Sequence, residues 1–420
     1  MIVYLYNKFK TKKMKKYFLL SMAIFAFSAC SDDDPAPVDP VDPVDPVSET
    51  INVTGMLQGT HNWTSNNTYI LNQKVVVDAG ATLNIEAGTV IKGSPGQGSL
   101  ASALIVARDG MINAVGTADA PIIFTSVSDD LSTMDDLGPE DQGLWGGLLI
   151  LGNAPCSFSG DVSELQIEGI PADDTFGLYG GNNPSDNSGT ISYVSIRHGG
   201  AVIGADNEIN GLTLGGVGNG TTINNVEVIA NSDDGIEFFG GTVDVSNALV
   251  WACGDDLLDI DQAYSGTISN SIVLAGANSD HGMEIDGPEG SFSDQFTLNN
   301  ITLVGYNDAE GGEYADYRSN AMGASNNVAA YNFFAGKDIE LDNDGVANNY
   351  NAGLLTFGAW EIEVPEGDSI EAIFNNKAEN VSVEGFGSTA SNVAAGSQTV
   401  GCDTSALAWT YANAAAALGW

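Results

Sequence analysis

"NSDDGIEFF" (231–239), "CGDDLLDID" (253–261) and "NSDHGMEID" (278–286) repeat one pattern, an acid pair or its variant followed by an apolar residue at Ile236, Leu258 and Met283 and then another acid. Each closes a longer unit: "TINNVEVIANSDDGIEFF" (222–239), "DVSNALVWACGDDLLDID" (244–261) and "TISNSIVLAGANSDHGMEID" (267–286), with "TLNNITLVGY" (297–306) opening a further one. Within a unit, Ile, Val and Thr alternate with polar residues at period 2, and Gly, Asn and Asp punctuate the runs, which is the signature of short strands. No amphipathic helical pattern interrupts them, and the Asn-Gly joins expected of antiparallel hairpins are scarce. Upstream, "GTVIKGS" (88–94) returns as "APIIFTS" (120–126), an alignment that sets Ile91 opposite Ile123, and "VVVDAGATLNIEAG" (75–88) returns loosely as "IVARDGMINAVG" (105–116). Units of this length carrying two or three strands predict an all-β chain folded as a right-handed parallel β-helix over 51–400, with equivalent residues stacked about 4.8 Å apart. The end, "LAWTYANAAAALGW" (407–420), combines helix-forming Ala with two Trp, and 401–420 is expected to cap the open edge of the last coil.

Positions 1–29 hold six lysines and no acid, and include the apolar run "YFLLSMAIFAF", which reads as a secretory signal. That run is too short to cross a hydrocarbon core of about 30 Å. Met14 opens a better-proportioned signal than Met1. "FSAC" ends at Cys30 and resembles a bacterial lipobox, which implies lipidation of Cys30 and an outer-membrane anchor. The following "SDDD" is similar to the acidic export signal of Bacteroidetes-type surface lipoproteins, which implies a body facing the cell exterior. "PAPVDPVDPVDPV" favours extended polyproline II and completes a stalk over 30–50.

Beyond position 29 the chain keeps 7 Lys+Arg against 55 Asp+Glu, a formal charge of −48. Nucleic acid is excluded as a partner, since a phosphate backbone would be repelled over most of the surface. Cys156, Cys253 and Cys402 have no zinc-type spacing and form at most one disulfide; Cys253 sits in an apolar run and reads as a core residue.

The blocks "VVVDAGATLNIEAGTVIKG" (75–93), "ASALIVARDG" (101–110), "LWGGLLILGNAP" (144–155), "SYVSIRHGGAVIGADNEINGLTLGGVGNGTTI" (192–223) and "DDGIEFFGGTV" (233–243) together resemble a group of Bacteroidetes β-helix surface lipoproteins. The resemblance implies a tethered β-helix and, by analogy, an outer-membrane uptake receptor as partner. It implies no chemistry.

Aligning the units on Ile236, Leu258, Met283 and Ile339 places Glu237, Asp259, Glu284 and Glu340 in one outward column, with Asp316 a further candidate member. Asp261, Asp286 and Asp342 form a second column with Arg318. Stacked carboxylates repel, and a hard cation such as calcium can bridge them on neighbouring coils. The alternative is a solvated acidic face with Arg318 as its counter-charge. The segments "NSD", "GDD", "DHG" and "YRS" (231–233, 254–256, 280–282, 317–319) are similar to the four ordered motifs of polygalacturonase-type glycosidases. That likeness implies Asp256 as acid, Asp233 and Asp255 as activators of water, His281 tuning the acid and Arg318 holding a sugar carboxylate. "DHG" and Asn320 depart from those motifs. The expected function is a surface-anchored binding or adhesion module for an extracellular glycan, cation-dependent. The alternatives are a polygalacturonase-like hydrolase or polysaccharide lyase, and a structural spacer.

Overall fold

A computed structural model describes residues 48–131, 136–171, 174–204, 208–309 and 311–415. The signal (1–29), Cys30 and nearly all of the stalk lie outside the described residues. Period-2 alternation lets each strand bury one side and hydrogen-bond to the coils before and after it. The outcome is a 25-stranded sheet whose ladders are parallel, wound as a right-handed parallel β-helix.

From Gly189 onward each coil supplies a long strand with a bend and a short strand. The long strands are Gly189–Arg197, Thr222–Ile229, Val245–Trp251, Thr267–Leu274, Phe296–Val304 and Gly323–Tyr331. Their bends fall on Tyr193, Asn225, Asn247, Asn270, Asn300 and Asn327, all with φ between 47° and 58°. Asparagine tolerates this left-handed backbone better than β-branched residues do. Its amide also pairs along the stack: Asn247 Nδ2 donates to Asn225 Oδ1 at 3.2 Å, and Asn270 Nδ2 to Asn247 Oδ1 at 2.7 Å. The recurrent Asn before each Ile/Val run is therefore a bend residue.

The short strands Leu212–Gly215, Ile236–Phe239, Leu258–Asp261, His281–Ile285, Glu313–Tyr317 and Ile339–Leu341 stack in one flank. Ile236, Leu258, Met283, Ala315 and Ile339 point inward in register and join one continuous core. Trp63 and Tyr69 stack at 4.7 Å near the first coil; Phe357, Trp360, Phe374 and Phe386 interlock edge-to-face in the last coils.

Two expectations change. In the pairing of "GTVIKGS" with "APIIFTS", Ile91 lies opposite Phe124 and not Ile123. A one-residue slip exchanges the faces of a strand, and only the observed register stacks Ile91 on a side chain that also belongs to the core. The described C-terminal residues do not cap the last coil either. They run back along the outside of the solenoid. Gly401 N–H donates to Asn327 O, Cys402 N–H to Thr302 Oγ1, Asp403 N–H to Asn270 Oδ1 and Ala412 N–H to Glu227 Oε1, successively earlier coils. Leu407 and Ala412 pack there on Ile229, Leu249, Ile272 and Leu274. Those strands carry apolar residues on both faces, so their outer face needs a cover, and the tail supplies it. Cys156, Cys253 and Cys402 are all free thiols, with Cys253 in the core.

Gly189 opens the first of these six long strands. Its φ is +110°, and a Cβ there would lie 2.0 Å from the carbonyl oxygen of Ile112 on the preceding coil. Gly189→Ala should cost about 3 kcal/mol by combining backbone strain with a clash against main chain. Gly336, also at positive φ but with open space around it, should lose only about 1 kcal/mol on the same change. Urea unfolding of the two variants checks the difference.

Candidate functional site

The repeated acid pair has a structural half. Asp234 N–H donates to Asn210 Oδ1 at 3.2 Å, Asp256 N–H to Asp234 Oδ1 at 2.9 Å and His281 N–H to Asp256 Oδ1 at 2.8 Å. The second residue of each pair is thus a rung, its side chain accepting the main-chain N–H one coil on. The first residue, Asp233 or Asp255, faces a cleft.

That cleft holds about 400 Å³, and among the described residues all of its lining side chains are carboxylates. Asp233, Asp234, Glu237, Asp255, Asp259 and Asp261 come from two successive coils, while Glu168 and Glu208 reach in from outside the stacked strands. One wall rests on the excursion 154–180, whose Phe158, Ile167 and Tyr179 pack on the outward side chains Leu149, Leu151 and Phe239 of the same flank. The excursion is pinned downstream, with Ser157 Oγ donating to Phe292 O at 2.6 Å and Tyr179 Oη to Gln262 Oε1 at 2.9 Å.

The first column has the register read from the repeats: Glu237, Asp259, Glu284, Asp316 and Glu340 are successive partners. It points away from the core, yet it is not solvated. Glu237 is 4% exposed, and Asp259, Glu284, Asp316 and Glu340 are each 8% exposed. The second column runs through Asp261, Asp286, Arg318 and Asp342, because Asp286 N–H bonds Ile260 O, Arg318 N–H bonds Ile285 O and Asp342 N–H bonds Tyr317 O.

Charge is handled differently along this flank. Downstream, the chain supplies its own cations. Arg318 pairs with Glu284, and with Asp286 at 3.0 Å; Lys377 pairs with Glu340, and lies 3.5 Å from Asp338. His281 Nδ1 sits 2.8 Å from Asp256 Oδ1. Burial pulls the His281 imidazole down, but the hydrogen bond to Asp256 and the surrounding carboxylates outweigh it and push it up to about 9. Upstream, among the described residues, no ion pair reaches Asp233, Asp234, Glu237, Asp255, Asp259 or Asp261. Burial, reinforced by Asp255, pushes the Asp233 carboxyl up to about 7. Burial with Asp256 beside it takes Asp255 to about 6, and burial with Asp286 takes Asp261 to about 7. Asp234, Glu237 and Asp259, the most deeply placed, are raised well above the usual carboxylate range, by burial first and then by one another and their acidic neighbours.

A family model for a pectate-lyase-like β-helix domain matches residues 55–413. The chain belongs to this family. Neither a curated protein nor a solved structure matches it. A pectate-lyase-like β-helix sets the architecture, while what happens on its flank depends on the side chains there.

The pectate-lyase-like coils bring the residues expected for hydrolysis near one another. Oxygens of Asp233, Asp234 and Asp255 lie within 4.8 Å of one another, as do ligand atoms of Asp256, His281 and Glu284. Asp256, expected to be the acid with His281 tuning it, is 4% exposed and is held by both the main-chain N–H and the ring of His281. Arg318, expected to hold a sugar carboxylate, is engaged by Glu284 and Asp286. Asp316, Glu340 and Asp342 form a further acidic trio. Asp234, Glu313, Asp338 and Lys377 join the flank without having been singled out from sequence, although Asp234 lay in plain view as the second acid of its pair. Arg197 and His198 of "RHGG" are buried; Arg197 stacks on Tyr411, 4.4 Å from the ring centroid.

Proposed function

We propose that this chain is a cell-surface glycan-binding module, tethered through a lipidated Cys30 and the Pro/Asp-rich stalk. Its acidic flank takes divalent cations and through them an anionic polysaccharide. The supporting observation is the cleft walled by eight carboxylates with no side-chain cation paired, among the described residues, to those of the stacked coils. Such a surface repels a uronate unless a hard cation stands between, and calcium accepts carboxylate oxygens from both sides at once. Family membership is compatible with a glycan ligand. Immobilised polygalacturonate should retain the body, residues 48–420, in calcium and release it in chelator, with Asp255→Asn weakening retention about tenfold. Equal retention in calcium and chelator, or none in either, overturns this reading.

A second reading, cleavage of the same class of polymer, is favoured by one observation: Asp233 and Asp255 bring carboxylate oxygens from adjacent coils within 4.8 Å of one another in the cleft, where burial pushes them up to about 7 and about 6. Those values suit proton transfer near neutral pH. The retention experiment also serves here, since release of reducing ends or unsaturated uronates during it would make the module an enzyme.

A further inference from the structure

We infer that a cavity beside Tyr411 is a binding site for a free aliphatic amino acid, held as its zwitterion. The cavity lies where the returning tail meets the bent strands, and it shares no lining residue with the acidic cleft. Arg197 and His198 of "RHGG" (197–200) both line it. Its volume is about 150 Å³. That is the share of roughly five water molecules, which suits a small metabolite and is too little for a sugar chain.

Two buried, opposite charges line this cavity and do not meet. Arg197 is 8% exposed; its Nε donates to Ser195 Oγ at 2.8 Å, and its guanidinium lies on the Tyr411 ring. Ser195 passes the contact on to Glu227, but that relay occupies Nε alone. The terminal N–H groups of Arg197 have no acceptor among the described residues, and they form the planar fork that takes a carboxylate at two points. Asp129 is 4% exposed, with Thr125 Oγ1 donating to Oδ2 at 2.7 Å and Leu131 N–H to Oδ1 at 2.9 Å. No cation pairs with its carboxylate among the described residues, since Lys92 donates to its main-chain oxygen instead. A buried charge is costly unless an opposite charge answers it. A molecule carrying both charges answers Arg197 and Asp129 together.

His198 favours an ammonium as the ligand's other end. Its Nδ1 lies 2.7 Å from the carbonyl oxygen of Asp141, which only accepts, so Nδ1 carries the proton. Burial pulls the imidazole down and favours the neutral ring. Nε2 is thereby left as a bare acceptor on a residue that lines the cavity. Asp136, exposed, adds a second carboxylate on the side open to solvent. A plain anion would be repelled by Asp129 and Asp136, and a plain amine would leave Arg197 unanswered. The remaining walls are Ile123, Leu131 and Leu137, which suit a branched aliphatic side chain.

The test is calorimetric titration of the full chain with L-valine and L-leucine, and with isovalerate and isobutylamine, which each lack one charge of valine. An amino acid should bind, and each analogue should bind at least about tenfold more weakly, the loss of one charge-assisted hydrogen bond. Arg197→Lys should bind at least about tenfold more weakly too, because an ammonium lacks the planar fork. His198→Asn should weaken valine about tenfold while keeping the fold. Asparagine tolerates the left-handed backbone at this position, where φ is 61°, and its amide replaces the Nδ1 donor but not Nε2. Melting near the parent's temperature shows that each variant is folded. Absence of binding by both amino acids, an analogue that binds as tightly as valine, or unchanged affinity in folded His198→Asn overturns the site. The titration uses neither calcium nor polysaccharide, so its result stands apart from that of the acidic flank.

Discussion

In chelator, the protein is expected to lose stability steadily as pH rises from 5 to 7.5, and in saturating calcium that decline should flatten. Asp233 moves from the ordinary aspartate value of 3.8 to about 7, Asp261 to about 7 and Asp255 to about 6 in the folded state. Between 3.8 and 7 the native state therefore holds more protons than the unfolded chain, so the free energy of unfolding falls with increasing pH. The stabilisation is complete below 3.8 and gone above about 7. A displacement by one pH unit is worth about 1.4 kcal/mol. Even with Asp255 discounted for its greater contact with solvent, the group sums to several kcal/mol, on the order of half a domain's stability. Calcium replaces those protons with a charge that does not titrate away. A second window belongs to His281, whose imidazolium is favoured by Asp256. Its contribution is full below 6.5 and lost as pH passes about 9, and calcium should leave it unchanged. Chemical denaturation at closely spaced pH values, with calcium or with chelator, separates the two windows. A flat profile in chelator below pH 7 would show that the clustered carboxylates ionise without penalty.

The second large effect is expected at the tail. Leu407 is fully buried against Ile229, Leu249, Ile272 and Leu274, strands whose inner faces already serve the core. Leu407→Asp should cost about 4 kcal/mol or more, since it removes a buried apolar side chain and places a carboxylate in its cavity without a partner. Neighbouring contacts should fail with it. Ala412 N–H, 2.8 Å from Glu227 Oε1, would withdraw from a fully buried glutamate whose other oxygen is held by Ser195 Oγ at 2.6 Å. Trp409 would leave its edge-to-face contact with Tyr193, and Tyr411 its place on Arg197. Urea midpoints measure the loss, and increased binding of a hydrophobic dye would report the bared flank. A variant that unfolds with the parent would mean that the tail adds little to the solenoid.

The parts of this molecule that were legible in its sequence are those that repeat. Ile236, Leu258, Met283 and Ile339 could be aligned because each is followed by an acid and preceded by a turn, and the ladder pairs them as aligned. Asp316 followed from the same frame, although its unit lacks the acidic prefix. Register failed where the frame was loose: Ile91 sits in a run apolar enough to fit opposite Ile123 or Phe124, and the core chooses Phe124. Burial of the acids was not legible. Alternation shows that Glu237 and Asp259 point away from the core, but the cover over their cleft comes from 154–180, a non-repeating segment whose Phe158 and Tyr179 carry no period. Nor could the direction of the tail be read, because Ala and Trp cover an apolar end and an apolar flank equally well.

The backward course of that tail bears on the order in which the chain can mature. A solenoid ordinarily folds through neighbours, so each coil is complete once the next is in place. Here the outer face of Thr222–Ile229 is sealed only when Ala412 arrives, 185 residues after its partner Glu227. Contacts between such distant positions form late, after the loop between them has been closed. Until then the half-built solenoid carries a greasy stripe along one side, and a chain ending early would keep it. Closure of that side therefore waits on residues 401–412, made long after the strands that they cover.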